Sequence, residues 1–283
     1  MYKFTSIGRP LDPRYPSNKA VLVLLPVAAV LGGVLSFLEN GQAMQILQSA
    51  ASFLLIAFAS WALARELFPD DNGTAFISMA LAVLIALFLD SPAILIVFST
   101  LGLVRIVNRS TGVPARMSDS VIVMLLAFWV IYSAHSPFYG AVAALAFACD
   151  GSLKNPLRHQ WAFALICLGG MIVYMVDHDV GLAYFVAPRS LAEWLSLAVL
   201  LILALDMILL KKVRSRADAT GKKLDVTRVK YGMAVGLLAA LQGLVALESV
   251  ALLVATIAGI GIGMAFRKAF QVPPAAGAGR SKY

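Results

Sequence analysis

The sequence contains few charged residues. Only 13% of its 283 residues are charged, 60% are hydrophobic, and its mean hydropathy is +0.85. Soluble domains contain about 25% charged and about 45–50% apolar residues, so this chain has too few polar groups to cover a water-facing surface. The composition excludes an ordinary soluble domain. It predicts an all-α, polytopic bundle of membrane helices.

The chain is also poor in cysteine and in catalytic motifs. Cys149 and Cys167 lie in or beside apolar segments, with no His or Cys at metal-ligand spacing, which indicates packing residues. The sequence contains no P-loop, no H-E-x-x-H, no G-x-S-x-G and no dinucleotide fingerprint. We therefore predict no cofactor, and a divalent cation enters only with the enzyme alternative below.

Long apolar runs predict the membrane spans. Four runs, at 20–38, 44–64, 160–176 and 190–210, approach the length of about 20 residues that crosses a bilayer. Three longer blocks (74–104, 120–149 and 231–266) are interrupted by Asp90-Ser91-Pro92, His135-Ser136-Pro137 and Glu248-Ser249. Because Ser and Pro favour helix starts, we predict tight turns between short antiparallel helices, several of them too short to span comfortably. The prediction is about ten transmembrane helices.

The distribution of Lys and Arg favours ten helices over seven. With ten helices, both termini lie on one side together with every Lys and Arg except Arg189. Since cytoplasmic loops are rich in these residues, that side is predicted to be cytoplasmic. We expect a cytoplasmic segment 1–19, a single membrane domain 20–266 and a disordered cytoplasmic tail 267–283. The compact size and short loops suggest a multi-pass protein of the plasma (inner) membrane.

The formal net charge of +8 does not predict nucleic-acid binding. The cations stand in short clusters between apolar runs, whereas a phosphate-tracking surface needs a continuous exposed stripe. The basic loop 211–230 is instead expected to lie against anionic lipid headgroups. Two G-x-x-x-G motifs, at Gly232 and Gly259, predict close helix packing, either within one chain or in a homo-oligomer.

Polar side chains concentrate at the predicted cytoplasmic ends of the helices. Arg105, Asn108 and Arg109 share one helical face and are suited to binding a phosphate or carboxylate. Acidic neighbours are suited to holding a divalent cation. The candidate ligand-binding residues are Arg65, Glu66, Asp71, Arg105, Asn108, Arg109, Asp119, Asp150, Arg158 and His159. The alternative, which we favour, is that these residues set topology and cap helices, with Asp119 and Thr74 as N-caps.

Function is predicted from what the predicted helices lack. None carries Asp, Glu, Lys, Arg or His near the middle of the membrane, which argues against a proton-coupled pump. The first hypothesis is a transporter or facilitator of a small or lipidic solute. The alternative is a membrane-embedded enzyme acting on a lipid-linked phosphate at the cytoplasmic interface, and a non-catalytic scaffold is a third possibility.

Ten short helices with both ends cytoplasmic are similar in topology to the drug/metabolite transporter superfamily. The similarity covers helix number alone. The superfamily's two inverted repeats imply matched loops, whereas the tight turn at Asp90 would correspond here to the long basic loop. The sequence therefore assigns no family.

Overall fold

The computed structural model describes residues 5–89, 93–181, 190–245 and 251–269. Within these ranges the chain is all-α, with ten helices and one isolated antiparallel bridge between Arg216 and Lys223. The helices are α1 (Pro16–Leu38), α2 (Ala43–Leu67), α3 (Asn72–Ala86), α4 (Ile94–Asn108), α5 (Met117–Ser133), α6 (Tyr139–Ser152), α7 (Gln160–Asp177), α8 (Leu191–Leu209), α9 (Val226–Val245) and α10 (Ala251–Ala269).

The three long apolar blocks are divided as predicted, into α3 and α4, α5 and α6, and α9 and α10. His135-Ser136-Pro137 lies between α5 and α6, where His135 adopts a left-handed backbone conformation with φ of 52°. The other two interruptions, at 90–92 and 248–249, lie outside the described residues, as do residues 270–283 of the predicted tail. The helices on either side confirm the division.

Four helices, α1, α2, α7 and α8, are long and apolar enough to cross a membrane, and they match the four long apolar runs of the sequence. Of these, α8 buries only Leu200 and Leu203. Many of its other large apolar side chains, such as Leu201 and Leu205, are exposed. Such a surface is stable against lipid and not against water, so the chain is a membrane protein with a helical-bundle architecture.

Helix α2 lies in the middle of the packing, in contact with α1, α3, α4, α9 and α10. Helix α3 packs on α2 and α10, whereas α4 packs on α2, α5, α6 and α9. Helices α3 and α4 are therefore not a packed pair in the described structure, although they follow one another in the chain. The tight turn predicted between them, at 90–92, lies outside the described residues.

Glycines allow these distant contacts. A Cβ on Gly259 of α10 would overlap the backbone of Ser78 in α3, and one on Gly263 would lie 2.9 Å from Thr74 Cα. In α9, Gly232 faces the side chain of Asn108. Both G-x-x-x-G motifs thus pack helices within one chain.

Residues 210–225 fold into a short basic hairpin closed by the bridge between Arg216 and Lys223. Val213, Ala217 and Leu224 form a small apolar cluster with the start of α9. Asp70 accepts backbone hydrogen bonds from residues 214 and 215 at 2.8–3.0 Å. The predicted solvated loop 211–230 is therefore a folded element, and its last five residues are the first five of α9.

Candidate functional site

The polar side chains of several helices meet at one end of the bundle, called here the charged end. Arg105, near the carboxyl end of α4, contacts Glu66, near the carboxyl end of α2. Asp150, near the carboxyl end of α6, contacts Arg228 in the first turn of α9 and Gln160 at the start of α7. Helices α2, α4 and α6 thus end where α7 and α9 begin, as expected for helices that alternate in direction.

Glu66 is the centre of the first group of contacts. Its side chain is 1% exposed, and its Oε1 accepts hydrogen bonds from Arg9 Nη1 at 3.0 Å, Arg105 Nε at 3.0 Å and Ser110 Oγ at 3.1 Å. Asn108 Nδ2 donates to the main-chain oxygen of Glu66 at 2.8 Å. Two guanidinium groups therefore compensate one buried carboxylate.

Asp150 forms a second group of the same kind. Its side chain is fully buried, and its Oδ1 accepts from Arg109 Nε at 2.7 Å and Arg228 Nη1 at 2.8 Å. Gln160 Nε2 lies 3.4 Å from Oδ2. Burial lowers the pKa of the Arg109 guanidinium, and the Asp150 carboxylate opposes that shift. Arginine remains charged because its ordinary pKa is far above neutrality.

The N-terminal strap, residues 5–15, covers the charged end. Asp119 is 3% exposed and accepts from Thr5 Oγ1 at 2.8 Å, Ser6 N at 2.6 Å and Ser6 Oγ at 2.5 Å. Thr111 Oγ1 donates to the Ser6 carbonyl at 2.6 Å. Asp119 is thus the strap's acceptor, and the predicted N-cap role is wrong, because Arg116 occupies the N-cap position of α5.

Arg9 joins the strap to both the bundle and the basic hairpin. Its Nη1 bonds Glu66, while its Nε and Nη2 bond Asp218 of the hairpin at 2.5 and 2.9 Å. Arg105 Nη1 also donates to the Ile7 carbonyl of the strap at 3.1 Å. Burial lowers the pKa of Arg9, but the carboxylates of Glu66 and Asp218 outweigh it and raise that pKa overall.

We call Arg9, Glu66, Arg105, Arg109, Asp150 and Arg228 the ion-pair cluster. Four of the candidate residues, Glu66, Arg105, Arg109 and Asp150, belong to this cluster. Asn108 bonds the backbone of Glu66, and Asp119 is connected to the cluster through the strap. The proximity that a shared site requires is present, because Arg109 bonds Asp150 directly. All four arginines already contact carboxylates, so an anionic ligand would have to displace an acid.

Two other candidates form local structural contacts. Arg65 donates to Asn18 Oδ1 at 3.0 Å and lies over the Trp61 ring at 4.9 Å. Asp71 is the N-cap of α3 and accepts from two backbone N–H groups of its first turn. The predicted N-cap, Thr74, instead lies inside that turn. Arg65 thus connects the end of α2 to the start of α1, and Asp71 caps α3.

Arg158 and His159 are exposed in the segment before α7. Within the described ranges, neither side chain bonds the ion-pair cluster. No three His, Cys, Asp or Glu side chains of the described residues are grouped so that they could hold a metal ion.

Sequence reasoning missed Arg9, Arg228 and Asp218, because it assigned them to an N-terminal segment and a solvated loop. A signal was present for Arg228. Asp225 accepts from the backbone N–H groups of Thr227 and Arg228 at 2.8 and 3.1 Å, which is an N-cap. Recognising that cap would have started α9 at Val226 and placed Arg228 in its first turn.

Away from the charged end, the buried polar contacts between helices are uncharged. Among the described residues they include the pairs Thr100–Tyr139 at 2.9 Å, Ser60–Thr256 at 2.9 Å and Ser136–Gln242 at 3.1 Å. Each pair joins two parts of the bundle and satisfies its own hydrogen bonds.

Two shallow pockets lie at the surface of the described structure. One is an apolar groove between α1 and α2, lined by residues such as Val30, Val34 and Ile46. The other lies between α6 and α9 beside Cys149 and Tyr231. Neither of them is lined by residues of the ion-pair cluster.

The fold and this cluster define a polytopic helical membrane protein with ion pairs buried at one end. No protein-family model matches the chain, and searches of curated proteins and of solved structures return no match. What the protein does must therefore be argued from its own residues.

Proposed function

We propose that this protein is a transporter or facilitator of a small neutral, amphiphilic or lipidic solute, and that the ion-pair cluster is its closed cytoplasmic gate. The observation that carries the proposal is the burial of two arginine–carboxylate–arginine groups, around Glu66 and Asp150, at one end of the bundle. They connect α2, α4, α6 and α9 to one another and to the strap.

Stability alone does not explain such groups. Replacing buried ion pairs by well-packed apolar residues is often neutral or stabilising by about 1–4 kcal/mol. The surfaces of a gate must pack together when it is closed and face water when it is open. Charged side chains are suited to both states, because they form ion pairs in the closed state and are hydrated when the pairs separate. In a bundle that does not open, burying the same charges would cost desolvation free energy without this benefit.

The uncharged interior supports a neutral solute. In the middle of the described helices there is no Asp, Glu, Lys, Arg or His, the groups that relay protons or bind ions in pumps. The Thr100–Tyr139 and Ser60–Thr256 pairs offer hydroxyl groups at helix interfaces instead. A solute passing between these helices would exchange one uncharged hydrogen bond for another.

The topology that we propose has ten spans, with the charged end in the cytoplasm of a plasma (inner) membrane. Support comes from the alternating helix directions at the charged end and from the Lys and Arg distribution. The shortest helix, α6, has 14 residues, or about 21 Å at 1.5 Å per residue, which requires local thinning of the bilayer.

The enzyme alternative has weaker support. A lipid-linked phosphate would need free arginine forks. Those of Arg105 and Arg109 are held by carboxylates at 2.7–3.0 Å, whereas the third predicted anion ligand, Arg158, is exposed. Glu66 and Asp150 are in turn engaged by arginines, so these two carboxylates are poorly placed to act as bases or metal ligands.

Thiol accessibility tests the gate. Thr100 is fully buried between the ion-pair cluster and the outer half of α4. In a chain with Cys149→Ala and Cys167→Ala, Thr100→Cys should react slowly with a membrane-impermeant reagent from the cytoplasmic side. Adding Glu66→Gln should accelerate the reaction, because one buried acid no longer holds two arginines. Leu125→Cys, which is lipid-facing and 58% exposed, is the matched control and should stay unreactive.

The transport proposal itself needs a flux measurement. Proteoliposomes containing the Glu66→Gln protein should release small neutral solutes faster than wild-type proteoliposomes, with the elution volume of the purified protein unchanged. Two results together contradict both gate and transporter. They are a Thr100→Cys residue that reacts in neither background, and solute release no faster than from protein-free vesicles.

A further inference from the structure

We propose that the basic hairpin, residues 210–225, is a preformed binding surface for anionic lipid headgroups. The inference concerns a different element from the gate and does not depend on transport. It begins from six cationic side chains that the hairpin exposes. They are Lys211, Lys212, Arg214, Arg216, Lys222 and Lys223.

The hairpin holds these cations in place. Its backbone is closed by the Ala217 N to Lys222 O bond at 2.8 Å and the Leu224 N to Ser215 O bond at 3.1 Å. Two further bonds, from the N–H groups of residues 218 and 219 at 3.2 and 3.0 Å, fix it to the carbonyls of residues 110 and 111. A ligand that binds this surface therefore does not have to order a flexible loop.

The carboxylates in and beside the hairpin bond groups other than its exposed cations. Asp218 bonds Arg9, and Asp225 caps α9. Asp70, which lies against the hairpin, accepts the backbone N–H groups of residues 214 and 215 and the Ser215 hydroxyl. In the described part of the chain, none of the six exposed cations forms an ion pair with a carboxylate. The surface carries an uncompensated positive charge.

The position of the hairpin at the end of α8 favours anionic lipid over other polyanions as its ligand. Helix α8 ends at Leu209, with Leu205, Ile208 and Leu209 exposed as lipid-facing side chains. Lys211 and Lys212 follow immediately, which places them at the depth of the headgroups. Basic segments directly beside a membrane helix are attracted to anionic lipid, and each cation strengthens the attraction about fivefold at moderate salt.

Native mass spectrometry of the purified full-length protein, titrated with phosphatidylglycerol or phosphatidylcholine, tests the proposal. Lys211→Gln with Lys212→Gln, and separately Lys222→Gln with Lys223→Gln, should each weaken phosphatidylglycerol binding roughly 25-fold. Phosphatidylcholine binding should not change. The comparison variant is a third double variant, Lys154→Gln with Arg158→Gln, which removes two exposed cations outside the hairpin, before α7, and should weaken phosphatidylglycerol binding less than either hairpin variant.

Three results would overturn the proposal. The first is unchanged phosphatidylglycerol affinity in both hairpin variants, and the second is an equal loss in the comparison variant. The third is a loss of binding to a short RNA oligomer with lipid binding intact, which would assign the surface to nucleic acid. An unchanged thermal unfolding midpoint in phosphatidylcholine shows that the variants remain folded.

Discussion

Replacing Asp150 by Asn should destabilise the protein more than any other single conservative change at the charged end. The Asp150 side chain is 0% exposed, and the two arginines that it compensates, Arg109 and Arg228, are 9% and 6% exposed. Asn keeps the size of the side chain and one acceptor oxygen, but it removes the negative charge. Two guanidinium groups are then left buried side by side.

The expected loss follows from the burial. Removing one partner of a buried ion pair costs about 3–5 kcal/mol, because the other charge stays in a low-dielectric surrounding without compensation. Asp218→Asn is the matched control, since it removes the same group from the Arg9 pair, where the Asp218 side chain is 30% exposed. An ion pair that water reaches contributes up to about 1 kcal/mol.

Unfolding in mixed detergent micelles with increasing dodecyl sulfate measures the difference, with the fluorescence of the 4 tryptophans as the signal. Adding Arg109→Gln to Asp150→Asn should restore part of the lost free energy, because it removes one of the two unpaired charges. If Asp150→Asn were no more destabilising than Asp218→Asn, the charge-burial reasoning would be refuted.

Three further tests concern the packing and the strap. Gly259→Ala should lower the free energy of unfolding by about 1–3 kcal/mol, because the added Cβ meets the Ser78 backbone. Gly169→Ala should raise that free energy by about 0.5–1 kcal/mol, because its Cβ meets no neighbouring atom within 4 Å and alanine favours the helix. Ser136→Ala should cost about 1–3 kcal/mol in the same unfolding assay, because it leaves the buried Gln242 Oε1 without its donor. Ser6→Ala should loosen the strap, which would be measured as faster tryptic cleavage after Arg14. Ser6→Thr keeps the hydroxyl that bonds Asp119, so it should leave the cleavage rate unchanged. Equal cleavage rates for the two variants would argue against the anchoring of the strap by Asp119.

The helix divisions were predictable because their signals are local. A Ser-Pro pair inside an apolar run marks a turn whatever surrounds it, and the structure separates α5 from α6 at Ser136-Pro137. The meeting of Arg105 and Arg109 with acids was predictable for a related reason, since alternating spans bring alternate helix ends to one side. Local signals and alternation together predict the charged end, but not its internal pairing.

The pairing depends on contacts that no local pattern encodes. Arg9 and Asp218 are 209 positions apart, and Asp119 lies 113 positions from Ser6. Helix periodicity shows which face of a helix is apolar, yet it does not say which helix covers that face. For the same reason, the sequence did not predict that α3 packs on α10 rather than on α4.

The division between arginine and lysine carries information that charge counting discards. Every cation of the ion-pair cluster is an arginine, whereas Lys211, Lys212, Lys222 and Lys223 are exposed on the basic hairpin. A planar guanidinium is less strongly hydrated and can bond a carboxylate while other donors reach backbone carbonyls, as Arg228 does. An ammonium group is better left in water or against headgroups. Arginine therefore occurs in both groups, since Arg214 and Arg216 are also exposed on the hairpin, whereas the ion-pair cluster contains no lysine.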